Sequence, residues 1–207
     1  VFGETPEVIG AEHILTRRSA SQEVTNKIYG YIEDLEKRVW AFGGDMRGGN
    51  PSSGNIRAGL TTIEEKSLGA IVKSGTKTIN DAFGYGETPP DKPGLYFIDS
   101  PGREPELLAG LAAAGAQIIL FSTGIGAPQG FPFVPVVKVS GNKNTVKTLA
   151  DFIDVDVSHV IHQGMSLDDA GDKILSESLD VASGKQTRAE TIGYVGSTAI
   201  YKYGPAV

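Results

Sequence analysis

Apolar residues recur at helical spacing at Val24, Ile28, Ile32, Leu35 and Val39. That stripe predicts a helix over 22–40, capped by Ser19 or Ser21. Ile63, Leu68, Ile71 and Val72 form one apolar arc of a second helix over 62–74. A capping box Thr61-x-x-Glu64 opens it and Gly75 stops it. At about 100° per residue, Glu65, Lys66 and Gly69 fall on the side opposite that arc. Past a Gly/Pro-rich connection over 84–94 the period changes. Short apolar runs over 95–99, 116–121 and 135–139 read as strands. The middle one is nearly all apolar, as suits a strand buried on both faces. Helices are expected over 104–114, 145–152 and 167–183, the last with Ser166-x-x-Asp169 as its cap and Gly184 as its stop. Strand–helix–strand units of this kind imply right-handed crossovers and parallel pairing. The expected fold class is therefore α/β: a three-layer sandwich around a mainly parallel sheet, Rossmann-like without a dinucleotide fingerprint. The chain reads as a single domain or tightly joined unit, with a helical lead-in over 1–42, a polar glycine-rich loop over 43–60 and an α/β core over 61–207.

The segment Gly43-Gly-Asp-Met-Arg-Gly-Gly-Asn-Pro-Ser-Ser-Gly-Asn-Ile-Arg-Ala-Gly59 interrupts this pattern. It carries almost no hydrophobic side chains, and loops of that length inside a domain tend to be functional when ordered. Its amides, hydroxyls and two arginines suit a small oxygen-rich anion. Gly49-Asn-Pro-Ser-Ser-Gly54 has the glycine spacing of a phosphate loop, but Asn55 and Ile56 stand where lysine and Ser/Thr belong, which excludes the triphosphate reading. Gly124-Ile-Gly126-Ala-Pro-Gln-Gly130 follows a strand, yet Pro128, Pro132 and Pro135 forbid the helix that a dinucleotide fingerprint requires. It reads instead as a glycine loop at the carboxyl end of a parallel strand, with Thr123, Gly124, Gly126 and Gln129 as candidate binding residues. A tight turn needing positive φ is the bland alternative. Asp99-Ser-Pro-Gly-Arg103 also sits at a strand's carboxyl end, where it either presents Asp99 and Arg103 to a crevice or simply turns and caps a helix.

Asp151, Asp154, Asp156, His159 and His162 resemble a ligand cluster, but the histidines lack the i, i+4 spacing of a helical zinc pair. A solvated strand face explains the aspartates better. His13 is more often structural than catalytic in such a setting, and no G-x-S-x-G elbow is present.

The 207 residues suffice for an α/β domain with a sizeable core. Twenty-five acidic against nineteen basic side chains leave a net charge of -6, which lacks the footprint of a general nucleic-acid binder. There is no cysteine, so thiol catalysis and cysteine-held clusters are excluded for this chain. No apolar run approaches the roughly 20 residues of a membrane span. No signal peptide is recognisable, and a cytoplasmic location is expected. The chain opens Val1-Phe2-Gly3 without an initiator methionine, as a fragment of a longer protein would.

Five segments together resemble the carboxy-terminal region of the altronate/galactarate dehydratase family: Asn50-Pro-Ser-Ser-Gly-Asn55, Gly59-Leu-Thr-Thr-Ile-Glu-Glu-Lys-Ser-Leu-Gly-Ala70, Ala113-Ala-Gly-Ala-Gln-Ile-Ile-Leu-Phe-Ser-Thr-Gly124, Pro135-Val-Val-Lys-Val139 and Val181-Ala-Ser-Gly-Lys-Gln-Thr-Arg-Ala-Glu190. They occur in family order, and Gly10-Ala-Glu-His-Ile-Leu-Thr-Arg-Arg18 resembles the lead-in. The resemblance implies a hydro-lyase that converts an aldonate or aldarate into a 2-keto-3-deoxy acid, using a divalent metal, typically iron(II), whose ligands stay unknown. The family's second chemistry is sulfolactate sulfo-lyase, which releases sulfite. Ile153-Asp-Val-Asp-Val-Ser158 and Ala170-Gly-Asp-Lys173 resemble that branch more. The implied partners are a small sugar acid, an amino-terminal domain or small subunit, and further copies of the chain in a homo-oligomer, with neither nucleic acid nor membrane. Two positions depart from the pattern. Ile125 stands where the family usually has arginine, and Ser53 where proline is usual.

Elimination from a hydroxy acid needs a base for the proton alpha to the carboxylate, a cation or Lewis acid for the enediolate, and an acid for the leaving group. On the resemblance, Lys66 is a candidate base, and Glu65 a base, a metal ligand or the partner of Lys66. Arg57 or Arg47 would clamp a carboxylate. Asn50, Ser52 and Asn55 would meet sugar hydroxyls. Three readings stand: a sugar-acid dehydratase, a sulfolactate sulfo-lyase large subunit, and a non-catalytic sugar-acid binding domain.

Overall fold

The computed structural model describes every residue except 58, 195, 197 and 203–207. The chain divides into two compact units, one of Val1–Gly115 with residues 200–202 and the other within Ala116–Ala199. Both are α/β, and the strands form two parallel three-stranded sheets among the described residues rather than the one continuous sheet expected.

In the first unit, β1 (Phe2–Gly3) runs into a 3-10 turn (Thr5–Glu7), then α1 (Glu12–Thr16), α2 (Gln22–Ala41), α3 (Met46–Gly49), α4 (Ser53–Arg57), α5 (Ile63–Lys73), β2 (Ile79–Phe83), β3 (Leu95–Ile98) and α6 (Glu104–Ala113). The sheet order is β1-β3-β2, with Phe2 opposite Phe97 and Gly3 opposite Ile98. The long helix α2 buries Val24, Ile28, Ile32 and Leu35, the stripe its sequence predicts, and Ser21 accepts the Val24 N–H at its start. Lys27 ties α2 to β2 by an ion pair with Asp81 at 2.8 Å. The polar segment over 43–60 is not extended loop throughout, for it folds α3 and α4, α3 being capped by Asp45.

Helix α5 is rotated from its expected setting. Ile63, Ser67 and Ile71 face inward, whereas Leu68 and Val72 are 44% and 76% exposed. The reason is a hydrogen bond: the buried Ser67 hydroxyl donates to the Ile9 carbonyl at 2.6 Å. A buried carbonyl needs a donor more than the helix needs two further apolar contacts. This setting puts Lys66 at the edge of the buried face, not opposite it. The cap also lies one residue later than expected, because Thr62 accepts the Glu65 N–H.

In the second unit, β4 (Ile119–Ser122), β5 (Val136–Ser140), α7 (Lys143–Thr148), β6 (Val155–Asp156), α8 (His159–His162), α9 (Leu167–Ala182) and α10 (Arg188–Thr191) follow in order. The sheet order is β4-β5-β6. Only β5 is buried along its whole length; β4 is an edge strand, with Leu120 53% exposed, which corrects the reading of that run as covered on both faces. Val137, Val139, Val155 and Val181 form the core that α9 closes. Ser166 and Gly184 bound α9 as expected.

Candidate functional site

The carboxyl ends of β1 and β3 lie side by side, and in open α/β sheets ligands bind beyond such ends. A compact network holds this edge. Thr5 Oγ1 donates to Asp99 Oδ1 at 2.6 Å, and the Ser100 N–H donates back to Thr5 Oγ1 at 3.1 Å. The Glu4 N–H donates to Ser100 Oγ at 2.6 Å, and the Thr5 N–H to the Ser100 carbonyl at 2.9 Å. Gly3 is required here because a Cβ would strike the Ser100 hydroxyl. Asp99 is buried, and that burial raises its pKa; the Thr5 bond and the charge of Arg38 pull it back.

Glu4 is held in the left-handed region, at φ 93° and ψ 63°. It is the one non-glycine residue with positive φ among the described residues. Such a conformation persists only where the surroundings over-determine it, and it clusters at functional sites. Its carboxyl pKa is pushed up to about 7. Burial is the main cause, and the charge of Glu7 adds to it. Lys73 and Lys66 act the other way, and Glu104 adds a smaller push upward.

Three residues away, Glu7 accepts from Lys66 Nζ at 2.7 Å. The same ammonium donates to Asn50 Oδ1 at 3.1 Å. Lys66 is thus fixed from two sides, by the 3-10 turn and by the residue that ends α3. The neighbouring Ser67–Ile9 bond sets the height of α5 against this turn. Gly10, at φ 91°, lets the chain pass close to Ile63 and Glu64.

Of the residues singled out from sequence, Lys66 and Asn50 come together. Glu65 goes elsewhere: its carboxylate accepts from the Thr61 N–H at 2.8 Å and the Thr61 hydroxyl at 2.6 Å, and these bonds hold its pKa below the usual value. No ion pair joins Glu65 to Lys66 among the described residues. The Ser52 hydroxyl donates to Asn55 Oδ1 at 2.9 Å, so these two polar groups bind each other. Arg57 is exposed on α4. Arg47 is already committed, with Nε 2.8 Å from Glu36 Oε1 and Nη2 3.1 Å from Glu12 Oε1; its pKa lies above the ordinary value, chiefly through the Glu36 bond. Asp99 and Arg103 do not share a crevice: Asp99 turns inward to Thr5, while exposed Arg103 pairs with Glu106 at 2.8 Å.

In the second unit, the loop after β4 braces itself. Thr123 Oγ1 accepts the Gly126 N–H at 2.9 Å, and the Gly124 carbonyl accepts from Asn142 Nδ2 and Thr145 Oγ1, both at 2.7 Å. The Gln129 carbonyl accepts from Lys138 Nζ at 3.3 Å. Gly126 sits at φ 104°, and a Cβ there would collide with Leu149. In the aspartate–histidine run, two of the aspartates accept backbone N–H groups. Asp154 accepts the Lys138 and Arg188 N–H groups at 2.7 and 2.6 Å, and Asp156 accepts that of Ser158 at 2.8 Å. Among the described residues no three His, Asp or Glu side chains gather as metal ligands. His13 is exposed on α1.

Sequence reading missed Glu4 and Glu7. Residues 1–10 read as a strand or extended entry, and nothing in that pattern singles out Glu4 or Glu7.

The family model for the D-galactarate/altronate dehydratase C-terminal region matches residues 1–205. The (2R)-sulfolactate sulfo-lyase subunit beta of Chromohalobacter salexigens is 39% identical over 196 residues, which is 94% of this chain and 50% of that protein. The altronate dehydratase of Bacillus subtilis is 36% identical over 204 residues, 99% of this chain and 40% of its own. The galactarate dehydratase (L-threo-forming) of Escherichia coli is 31% identical over 208 residues, 99% of this chain and 39% of its own. The chain therefore spans half or less of the length of these relatives. With nearly every residue inside the match, this chain belongs to the D-galactarate/altronate dehydratase family and corresponds to its C-terminal region.

Proposed function

We propose that this chain forms part of the catalytic region of a carbon–oxygen lyase that removes water from a sugar acid, an aldonate or aldarate, to give a 2-keto-3-deoxy acid. The observation that carries the reading is the Lys66 ammonium, clamped between Glu7 and Asn50 beside the carboxyl ends of β1 and β3. A fixed cation there is suited to a substrate carboxylate and to the enediolate that forms when the alpha proton leaves. Paired with the Glu7 carboxylate, Lys66 has in this reading the role of the cation. Asn50 keeps an amide N–H₂ for a hydroxyl of the substrate.

A divalent metal such as iron(II) would act as a Lewis acid on the same enediolate. The described residues do not offer it a complete donor set, so its ligands would come at least partly from the rest of the enzyme. A partner domain or subunit fits the fraction of the relatives that this chain covers.

Sulfolactate cleavage is the second reading. It is favoured by the 39% identity to a sulfo-lyase beta subunit, against 36% and 31% for the two dehydratases. Both reactions break a bond beta to a carboxylate after loss of the alpha proton, so one site serves either.

The complete enzyme, with every subunit it carries and supplied with iron(II), should be offered altronate, galactarate, other aldonates and aldarates, and sulfolactate. Keto-acid formation without sulfite supports the dehydratase, and sulfite release supports the second reading. Binding without turnover of any of them refutes both and leaves a sugar-acid binding domain.

A further inference from the structure

We propose that Glu4 is the catalytic residue that carries the proton in the elimination. This rests on the lyase reading above and names the group on which that chemistry turns. Three geometric observations converge on it. Glu4 occupies the first position beyond β1, at the sheet edge where ligands bind. Its backbone is forced into a left-handed conformation that glycine would adopt freely, and it is pinned there because its own N–H and that of Thr5 both donate to Ser100. It stands one turn from the Glu7–Lys66–Asn50 clamp, so a substrate carboxylate drawn to Lys66 brings its alpha carbon toward Glu4. A chain that needed only a turn at position 4 would be better served by glycine. A strained glutamate has to be retained for its carboxyl group.

The charged groups around it suit the task. Glu7 comes from its own turn, Lys66 and Lys73 from α5, and Glu104 from α6. Burial and the two glutamates favour the neutral acid, while the two lysines favour the carboxylate. Their balance leaves both forms populated near neutrality, the condition under which one group takes and returns a proton efficiently.

The step balances on Glu4 alone. The carboxylate takes the alpha proton, and the C–H pair becomes the new carbon–carbon double bond. The beta C–O bond breaks, and the departing hydroxide takes the proton back from Glu4 as water. Glu4 returns to the carboxylate, and the enol rearranges to the 2-keto acid. With sulfite as the leaving group, the proton passes to water afterwards.

The test compares the complete wild-type enzyme with Glu4→Gln and Glu4→Gly, using the acid on which the wild type turns over. Glu4→Gln should lose roughly 10²–10⁴-fold in kcat with KM changed little. The limb of the wild-type pH–rate profile near pH 7 should vanish with it, as should exchange of the substrate's alpha proton with deuterium from D₂O. Glu4→Gly, which relieves the backbone, should melt higher and still lose activity; it serves as the test if the glutamine variant fails to fold. Retention of kcat within about threefold by either variant, with the pH 7 limb intact, overturns the assignment of Glu4 while the lyase reading survives. If the wild type converts none of the acids, the lyase reading fails and Glu4 falls with it.

Discussion

Replacing Glu4 by Gln should change how stability depends on pH, whatever the substrate. In the unfolded chain a glutamate titrates near 4.5, and in the fold this one titrates at about 7. The folded form therefore holds the proton more tightly. Between those two values the native state binds more protons than the unfolded state, so stability declines as pH rises. The contribution is fully present below about 4.5 and is lost once pH has passed 7. At about 1.36 kcal/mol per pH unit, ionising Glu4 in place costs on the order of 3 kcal/mol. Glutamine has the same shape and no titration, so its stability should lack that decline. Urea unfolding followed by far-ultraviolet circular dichroism at intervals from pH 4 to 8.5 measures the difference; Trp40, largely exposed, is a poor fluorescent reporter. Asp99 also has a raised pKa, but it is present in both proteins and cancels in the comparison. Relative to the variant, the wild type should lose about 3 kcal/mol across this window. A difference that stays flat within about 0.5 kcal/mol would refute the burial argument for Glu4.

Lys66→Ala should abolish turnover without unfolding the chain, and it should move the Glu4 midpoint above 7, since Lys66 is one of the charges holding it down; a near-native kcat would remove Lys66 from the mechanism. Ser67→Ala leaves the Ile9 carbonyl without its donor and should cost about 1–3 kcal/mol, measured by thermal or urea unfolding. It should also lower kcat, by letting α5 ride away from the turn that bears Glu7. Gly126→Ala imposes both a strained φ and a collision with Leu149, so it should destabilise the second unit by at least about 2 kcal/mol; unchanged hydrogen-exchange protection in β5 would contradict that.

Much of the helical framework is legible from spacing and caps, because α2 follows one apolar stripe from a serine cap and α9 is bounded by Ser166 and Gly184. The face of α5 is not. Counting apolar residues favours Leu68 and Val72, whereas a single buried hydroxyl decides the rotation in favour of Ser67. Strand β2 escapes for a similar reason. Its Asn80 and Asp81 break the apolar alternation, yet Asp81 is satisfied by Lys27 and by the Ala82 N–H. At the site, Lys66 and Asn50 stand out in the sequence because they lie in or beside an unusual polar segment. Glu4 and Glu7 lie in a stretch that reads only as a strand or extended entry, and their setting comes from pairing with a strand more than ninety residues downstream. Local pattern carries no information about such a partner.

The bonds from Glu4 and Thr5 to Asp99 and Ser100 also bear on how the molecule is made. They join positions 94 to 96 residues apart, so the edge cannot close until that whole stretch after Glu4 has been synthesised. Closing so long a span is slow compared with winding a helix. During synthesis, α2 and α5 can form before the bonds of this edge do, and the edge is finished only when β3 has emerged.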